Sequence, residues 1–299
     1  MTQPGPSWDL FADLQLLLQF HFMRNALIAA SLVAVLAGAA GFFVVLRGQT
    51  FAAHMLSQVG FPGAAAAVLA GTSPLAGLIV FCVAAAIGVG VLGRNVEAGH
   101  RTEAVAVATL LAFALGLGLL FFKLASGNAE LIYSVLRGTI LGITDADVLR
   151  VAALTLMGLA VLACIARPLL FASVDAGVAE ARGVRVRVLG VIFLLVTALA
   201  IAAAVQIVGT LLIFALLVAP AACALRVTAR PARALAASVL LSLAFTWVGL
   251  AAAYFSNQPA GFFISAIAFG TYVVTRLVGA FHPAARRMVA PRPAVAAAP

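Results

Sequence analysis

The chain has 299 residues, of which 65% are hydrophobic and only 9% charged, with a mean hydropathy of +1.19. Soluble domains carry about 25% charged residues, so this composition excludes a water-soluble globular protein and leaves a multi-pass protein of the lipid bilayer. The net charge of +9 would point to nucleic acid in a soluble protein, but here the arginines fall between apolar runs, where they orient a membrane chain, and no nucleic-acid partner is expected.

Residues 1–23 hold no Lys or Arg but do hold Asp9 and Asp13, so they lack the positive start of a secretory signal. With Trp8, Phe11, Phe20 and Phe22 they read as an N-terminal interfacial segment lying outside the cell. The main body, 24–280, then carries charge-free runs such as "ALIAASLVAVLAGAAGFFVVL" (26–46), "AVAVATLLAFALGLGLLFF" (104–122) and "ALAASVLLSLAFTWVGLAAAYF" (234–255). Each matches the ~20 residues needed to cross a ~30 Å hydrocarbon core. The predicted spans are 24–46, 51–71, 74–92, 103–123, 148–166, 188–206, 209–225, 234–255 and 261–280. The fold class is therefore all-α, a polytopic transmembrane helical bundle of about nine spans, within a range of eight to ten. Nine crossings leave only Arg24, Lys123, Arg137 and Arg150 outside, in keeping with the cytoplasmic preference of basic residues. Residues 126–147, interrupted by Gly138 and Gly142, read as a short helix or re-entrant element; were it a crossing, the count would be ten. The Pro- and Ala-rich tail 281–299 reads as disordered and cytoplasmic.

Small residues recur at Gly38 and Gly41, at Gly116 and Gly118, and through Ala64–Ala67. Helices in lipid associate by close packing, so these faces mark a bundle. Cys82, Cys164 and Cys223 lie in apolar runs without metal-like spacing and read as small core hydrophobes.

All nine acids fall in or near predicted connections, whereas ion-coupled carriers usually place an ionisable group inside the membrane. His54 and Gln58 stand apart from this pattern. Their i, i+4 spacing stacks them on one helical face, where both present donors to a cation; the alternative is that they bond neighbouring helices together. Pro62 and Gly63 are expected to bend that helix and admit a neighbour, and Pro220 to kink a second one. The connection 167–187, "RPLLFASVDAGVAEARGVRVR", with Asp175, Glu180 and Arg182, reads as a short amphipathic helix ended by Gly183. A cytoplasmic partner would dock there. The phosphate-cradling pattern GxxxxGK[ST] is absent, since the single lysine, Lys123, follows Phe122. The chain is therefore not expected to be an enzyme, and any ATP hydrolysis belongs to another chain.

Taken together, "GFFVVLRGQTFAAHMLSQVGFPGAAAA", "RTEAVAVATLLAFALGLGLLF", "LRGTILGITDADV", "VTALAIAAAVQIVGTLLIFALLVAPAACALRV" and "NQPAGFFISAI" resemble the membrane permeases of bacterial ABC importers for zinc, manganese or iron. The resemblance covers roughly residues 20–280. It implies a cell-membrane permease, usually a homodimer, with cytoplasmic ATPase subunits docked on 167–187. An extracytoplasmic metal-binding protein would deliver the ion. It further implies a metal pathway through His54 and Gln58, where the family usually carries an acid and a histidine. No cofactor is expected to be held permanently; the divalent metal is cargo, and ATP sits on the partner subunit. Replacement of the acid by imidazole leans the cargo toward zinc over manganese. The alternative function is an ATP-independent carrier or exporter of small solutes.

Overall fold

The computed structural model describes residues 21–92, 100–125, 138, 142–256, 258 and 260–281. They form helices α1 (His21–Leu46), α2 (Thr50–Leu69), α3 (Pro74–Leu92), α4 (His100–Leu124), α5 (Asp145–Val174), α6 (Ala176–Ala181), α7 (Val186–Val208), α8 (Thr210–Val227), α9 (Pro231–Ser256) and α10 (Ala260–Phe281). Eight are long and apolar enough to cross a membrane, and α8 carries a shorter apolar stretch, Leu212–Val227. These nine helices coincide with the nine predicted spans.

Several boundaries move. Residues 21–23, assigned to the N-terminal segment, open α1; residues 1–20 and 282–299 lie outside the described residues. The element expected at 126–147 is likewise outside them through 141, apart from Gly138, while Asp145–Asp147 belong to the first turn of α5. Thr144 ends that expectation: its hydroxyl accepts from the Asp147 N–H, and the Asp147 side chain accepts from the Thr144 N–H, a reciprocal cap that starts a helix. At the other end α5 runs on through Pro168 to Val174, so 167–174 is helix rather than loop.

Burial sorts the helices. In α1, α2 and α7, 72%, 67% and 67% of the apolar window is buried, against 17% in α4 and 11% in α10. The first three thus lie at the centre of the bundle, while α4 and α10 face outward. In bilayer the exposed Phe113, Leu119, Phe262 and Phe269 meet acyl chains at no cost. Cys82 and Cys223 are buried as expected, but Cys164 is exposed on α5, because that helix covers the centre with one face only.

The central contacts are made by backbone. At Gly38 an added Cβ would lie 2.8 Å from the Val239 Cα, and the Ser238 hydroxyl donates to the Gly38 carbonyl at 2.7 Å. At Gly63 an added Cβ would lie 2.5 Å from the Gly77 carbonyl oxygen, where α2 crosses α3. The two backbones therefore approach each other closely at Gly63. Trp247 Nε1 donates to the Ser31 hydroxyl at 2.8 Å, which itself donates to the Leu27 carbonyl, tying α9 to α1 a second time.

The two ends of the bundle are distinct. Arg47, between α1 and α2, reaches Ser173 at the end of α5, whereas His21 and Asn25 at the start of α1 meet Asp145. Ala125 packs with Ala65 near the outgoing end of α2, placing it, like Thr144, at the end away from Arg47. This arrangement agrees with the nine-span layout.

Gly63→Val should destabilise the detergent-solubilised protein by about 1–3 kcal/mol, the cost of overpacking. Gly116, whose Cβ would meet nothing within 4 Å, should stabilise it when changed to Ala by up to about 1 kcal/mol. Thermal unfolding of both variants checks the opposite signs.

Candidate transport pathway and coupling surface

The turn leading into α2 is built by Gly48, whose φ of +69° favours glycine. It lets the Gln49 N–H return to the Val44 carbonyl at 2.9 Å and aims α2 back through the bundle centre. Along α2, His54 and Gln58 are both half-buried and one turn apart. The His54 ring meets the Phe214 ring of α8 edge-on, with centroids 4.8 Å apart. Its Nδ1 is buried without a hydrogen-bond partner. No hydrogen bond from Nδ1 joins α2 to a neighbouring helix among the described residues.

Thr210, the first residue of α8, is fully buried, and its hydroxyl is also unpartnered. A Cβ on Gly60 would lie 3.8 Å from its methyl group, so it stands on the same α2–α8 seam as His54. Each buried polar atom left unpaired costs about 1–3 kcal/mol; the Thr155 and Ser242 hydroxyls, away from this seam, are likewise unpaired. Sequence reasoning missed Thr210; the available signal was a hydroxyl opening an otherwise apolar helix. No group of three His, Cys, Asp or Glu side chains comes together among the described residues, so the seam offers isolated donors rather than a cage. Both α2 and α8 continue past Pro62 and Pro220, which are buried.

The connection at the arginine-rich end is ordered by its own caps. Asp175 ends α5 and caps α6, its Oδ1 accepting from the Val178 N–H at 2.9 Å. Gly183, at φ +83°, closes α6: the Gly183 N–H bonds the Glu180 carbonyl and the Val184 N–H the Ala179 carbonyl, the paired pattern of a glycine-terminated helix. Ala179 is buried and anchors the element, while Asp175, Glu180 and Arg182 are exposed. Val174 and Val178 are 77% and 46% exposed beside them.

At the opposite end, buried Asn25 donates to Asp145 Oδ1 at 2.6 Å and to the Ile143 carbonyl at 3.4 Å. His21 Nε2 donates to the same Oδ1 at 3.0 Å, and Arg24 Nη2 lies 3.3 Å from His21 Nδ1. This polar clasp joins α1 to α5 and was not anticipated.

A bundle of long apolar helices with its arginines gathered at one end is a multi-pass membrane protein. The ABC-3 model, of the ABC 3 transport family, matches residues 19–279. The manganese import system permease protein ScaB of Streptococcus parasanguinis is 34% identical over 206 residues, 69% of this chain and 72% of that protein. The manganese transport system membrane protein MntC of Listeria innocua is 28% identical over 245 residues, 82% of this chain and 86% of that protein. Among solved structures, PsaBC from Streptococcus pneumoniae in complex with Fab superposes with a TM-score of 0.79 at 28% identity, covering 93% of this chain and 98% of that one. The chain belongs to the ABC 3 transport family and is a cell-membrane protein, the permease rather than the ATPase of its transporter. The resemblance read from the sequence holds at the level of the family.

Asn25→Ala should cost about 1–2 kcal/mol, because it strips a buried donor from the clasp. His21→Ala, at an exposed pair, should cost less than about 1 kcal/mol. Thermal unfolding in detergent compares the two.

Proposed function

We propose that the chain is the permease of an ATP-driven importer of divalent transition-metal ions. It would work as one of two copies, with cytoplasmic ATPase subunits docked on α6 and an extracytoplasmic binding protein delivering the ion. Family membership over residues 19–279 is the observation that carries this reading, and it weighs against an ATP-independent carrier. No described acid lies in the interior of a long helix, which gives the carrier reading no ion-coupling group.

In this reading His54, Gln58 and Thr210 line the route of the ion. A transit site must release its cargo, and separated donors suit that need better than a complete ligand set. Manganese is the cargo named for ScaB and MntC and is the primary assignment. A second reading, zinc, is favoured by the unpartnered imidazole nitrogen of His54, since imidazole suits zinc and carboxylates suit manganese. Exposed valines beside Asp175, Glu180 and Arg182 give α6 the mixture of apolar contact and charge that a docking partner uses.

His54→Ala should lower metal uptake by about tenfold or more, the scale on which perturbing a metal's surroundings acts, with the complex still assembled. Unchanged uptake would remove His54 from the route. A deletion strain rescued by manganese, and not by zinc, through the wild-type chain supports the primary cargo; the reverse supports the second. Separately, Asp175→Lys combined with Glu180→Lys should reduce the amount of ATPase subunit that co-purifies with the permease. Equal recovery would take those charges out of the docking surface.

A further inference from the structure

We infer that Arg47 is a positioning residue that links the coupling helix α6 to the start of the pathway helix α2; the inference rests on the ABC-importer reading. Arg47 stands three positions before the first residue of α2 and is half-buried. Its guanidinium engages three elements at once. Nε donates to Gln49 Oε1 at 3.3 Å, at the N-terminus of α2. Nη1 donates to the Ser173 hydroxyl at 3.5 Å, two residues before Asp175 caps α6. The cation lies over the Phe193 ring of α7 at 5.9 Å from its centroid, within cation–π range.

The surroundings fit this role. Ser173 gives its own proton to the Leu169 carbonyl at 2.6 Å, so its oxygen is left to accept from Arg47. On α7, a Cβ at Gly190 would lie 3.6 Å from Nη2, in ordinary van der Waals contact with the guanidinium. Beside it, an open cavity of about 510 Å³ is lined by Val45, Arg47, Ala172, Ser173, Ala176 and Val186. The corner between α5 and α6 is therefore not close-packed against the α1–α2 turn. Across that space the guanidinium is a fixed plane with several donors, which an ammonium cannot reproduce. A displacement of α6 by its partner moves Ser173, and Arg47 carries that movement to Gln49, about 8 Å along the axis from His54 at 1.5 Å per residue.

The test uses the full complex of permease, ATPase subunits and binding protein in proteoliposomes, with manganese as the transported ion. Arg47→Gln and the milder Ser173→Ala are compared with wild type, and Arg47→Lys serves as the conservative change. In Arg47→Gln, co-purification and basal ATP hydrolysis should stay at wild-type levels while manganese imported per ATP hydrolysed falls about tenfold, within the range over which single residues modulate coupling. Ser173→Ala should fall in the same direction, and Arg47→Lys should recover only part of the loss. Amide exchange of residues 50–54, altered in wild type when ATPase subunits bind, should become insensitive to them in Arg47→Gln.

Unchanged import per ATP in both Arg47→Gln and Ser173→Ala overturns the inference. So does a fall that merely tracks lost ATPase subunit or lowered thermal stability. Should wild type itself import no metal with ATP, the importer reading fails first, and that result differs from an importing wild type matched by its variants.

Discussion

The structure depends on backbone-to-backbone contact between helices. In a bilayer, burying one more leucine against another gains little, because the lipid is equally apolar, so association relies on short-range packing and interhelical hydrogen bonds. Gly38 and Gly63 let α9 and α3 approach α1 and α2 so closely that a Cβ would collide with their backbones. At the Gly38 crossing the Ser238 hydroxyl donates to the Gly38 carbonyl, while the Ser242 hydroxyl beside it is buried and unpaired. The seam between α2 and α8 also holds unpaired polar atoms, the His54 Nδ1 and the Thr210 hydroxyl. In the proposed reading, the imidazole nitrogen and hydroxyl on that seam are what a polar cargo would bind.

Polar chemistry at the two ends is asymmetric. At the start of α1, Asn25, His21 and Asp145 make a clasp with short contacts, holding α1 and α5 together. At the arginine-rich end the contacts are longer, open space intervenes, and α6 is exposed apart from Ala179. A closed clasp at one end and an adjustable joint at the other fit a bundle that pivots when a partner acts on α6. Two discrete packings of the same helices are the usual basis of such motion.

Much of this was legible in the sequence because the bilayer imposes a length scale: apolar runs of about 20 residues separated by arginines located all nine long helices. The alanines among Asp175, Glu180 and Arg182, closed by Gly183, likewise announced α6, since a glycine after a short helix carries a local instruction. What the sequence hid was tertiary. Asp145 looked like part of an interrupted connection, although Thr144 and Asp147 already formed a capping pattern, because alanine- and glycine-rich flanks obscured where the helix began. Cys164 and Cys82 sit in equally apolar runs, yet one faces outward and the other is buried; a helix greasy on every side gives no periodicity from which to tell its faces apart. Thr210 became visible only when Gly60 was seen beside it.

The length of α5 has a consequence of its own. Thirty residues make a rod of about 45 Å, well beyond the ~30 Å hydrocarbon layer, and the surplus carries Ser173 and α6 with it. In the proposed reading, a cytoplasmic partner would meet this handle at the edge of the hydrocarbon layer rather than within it.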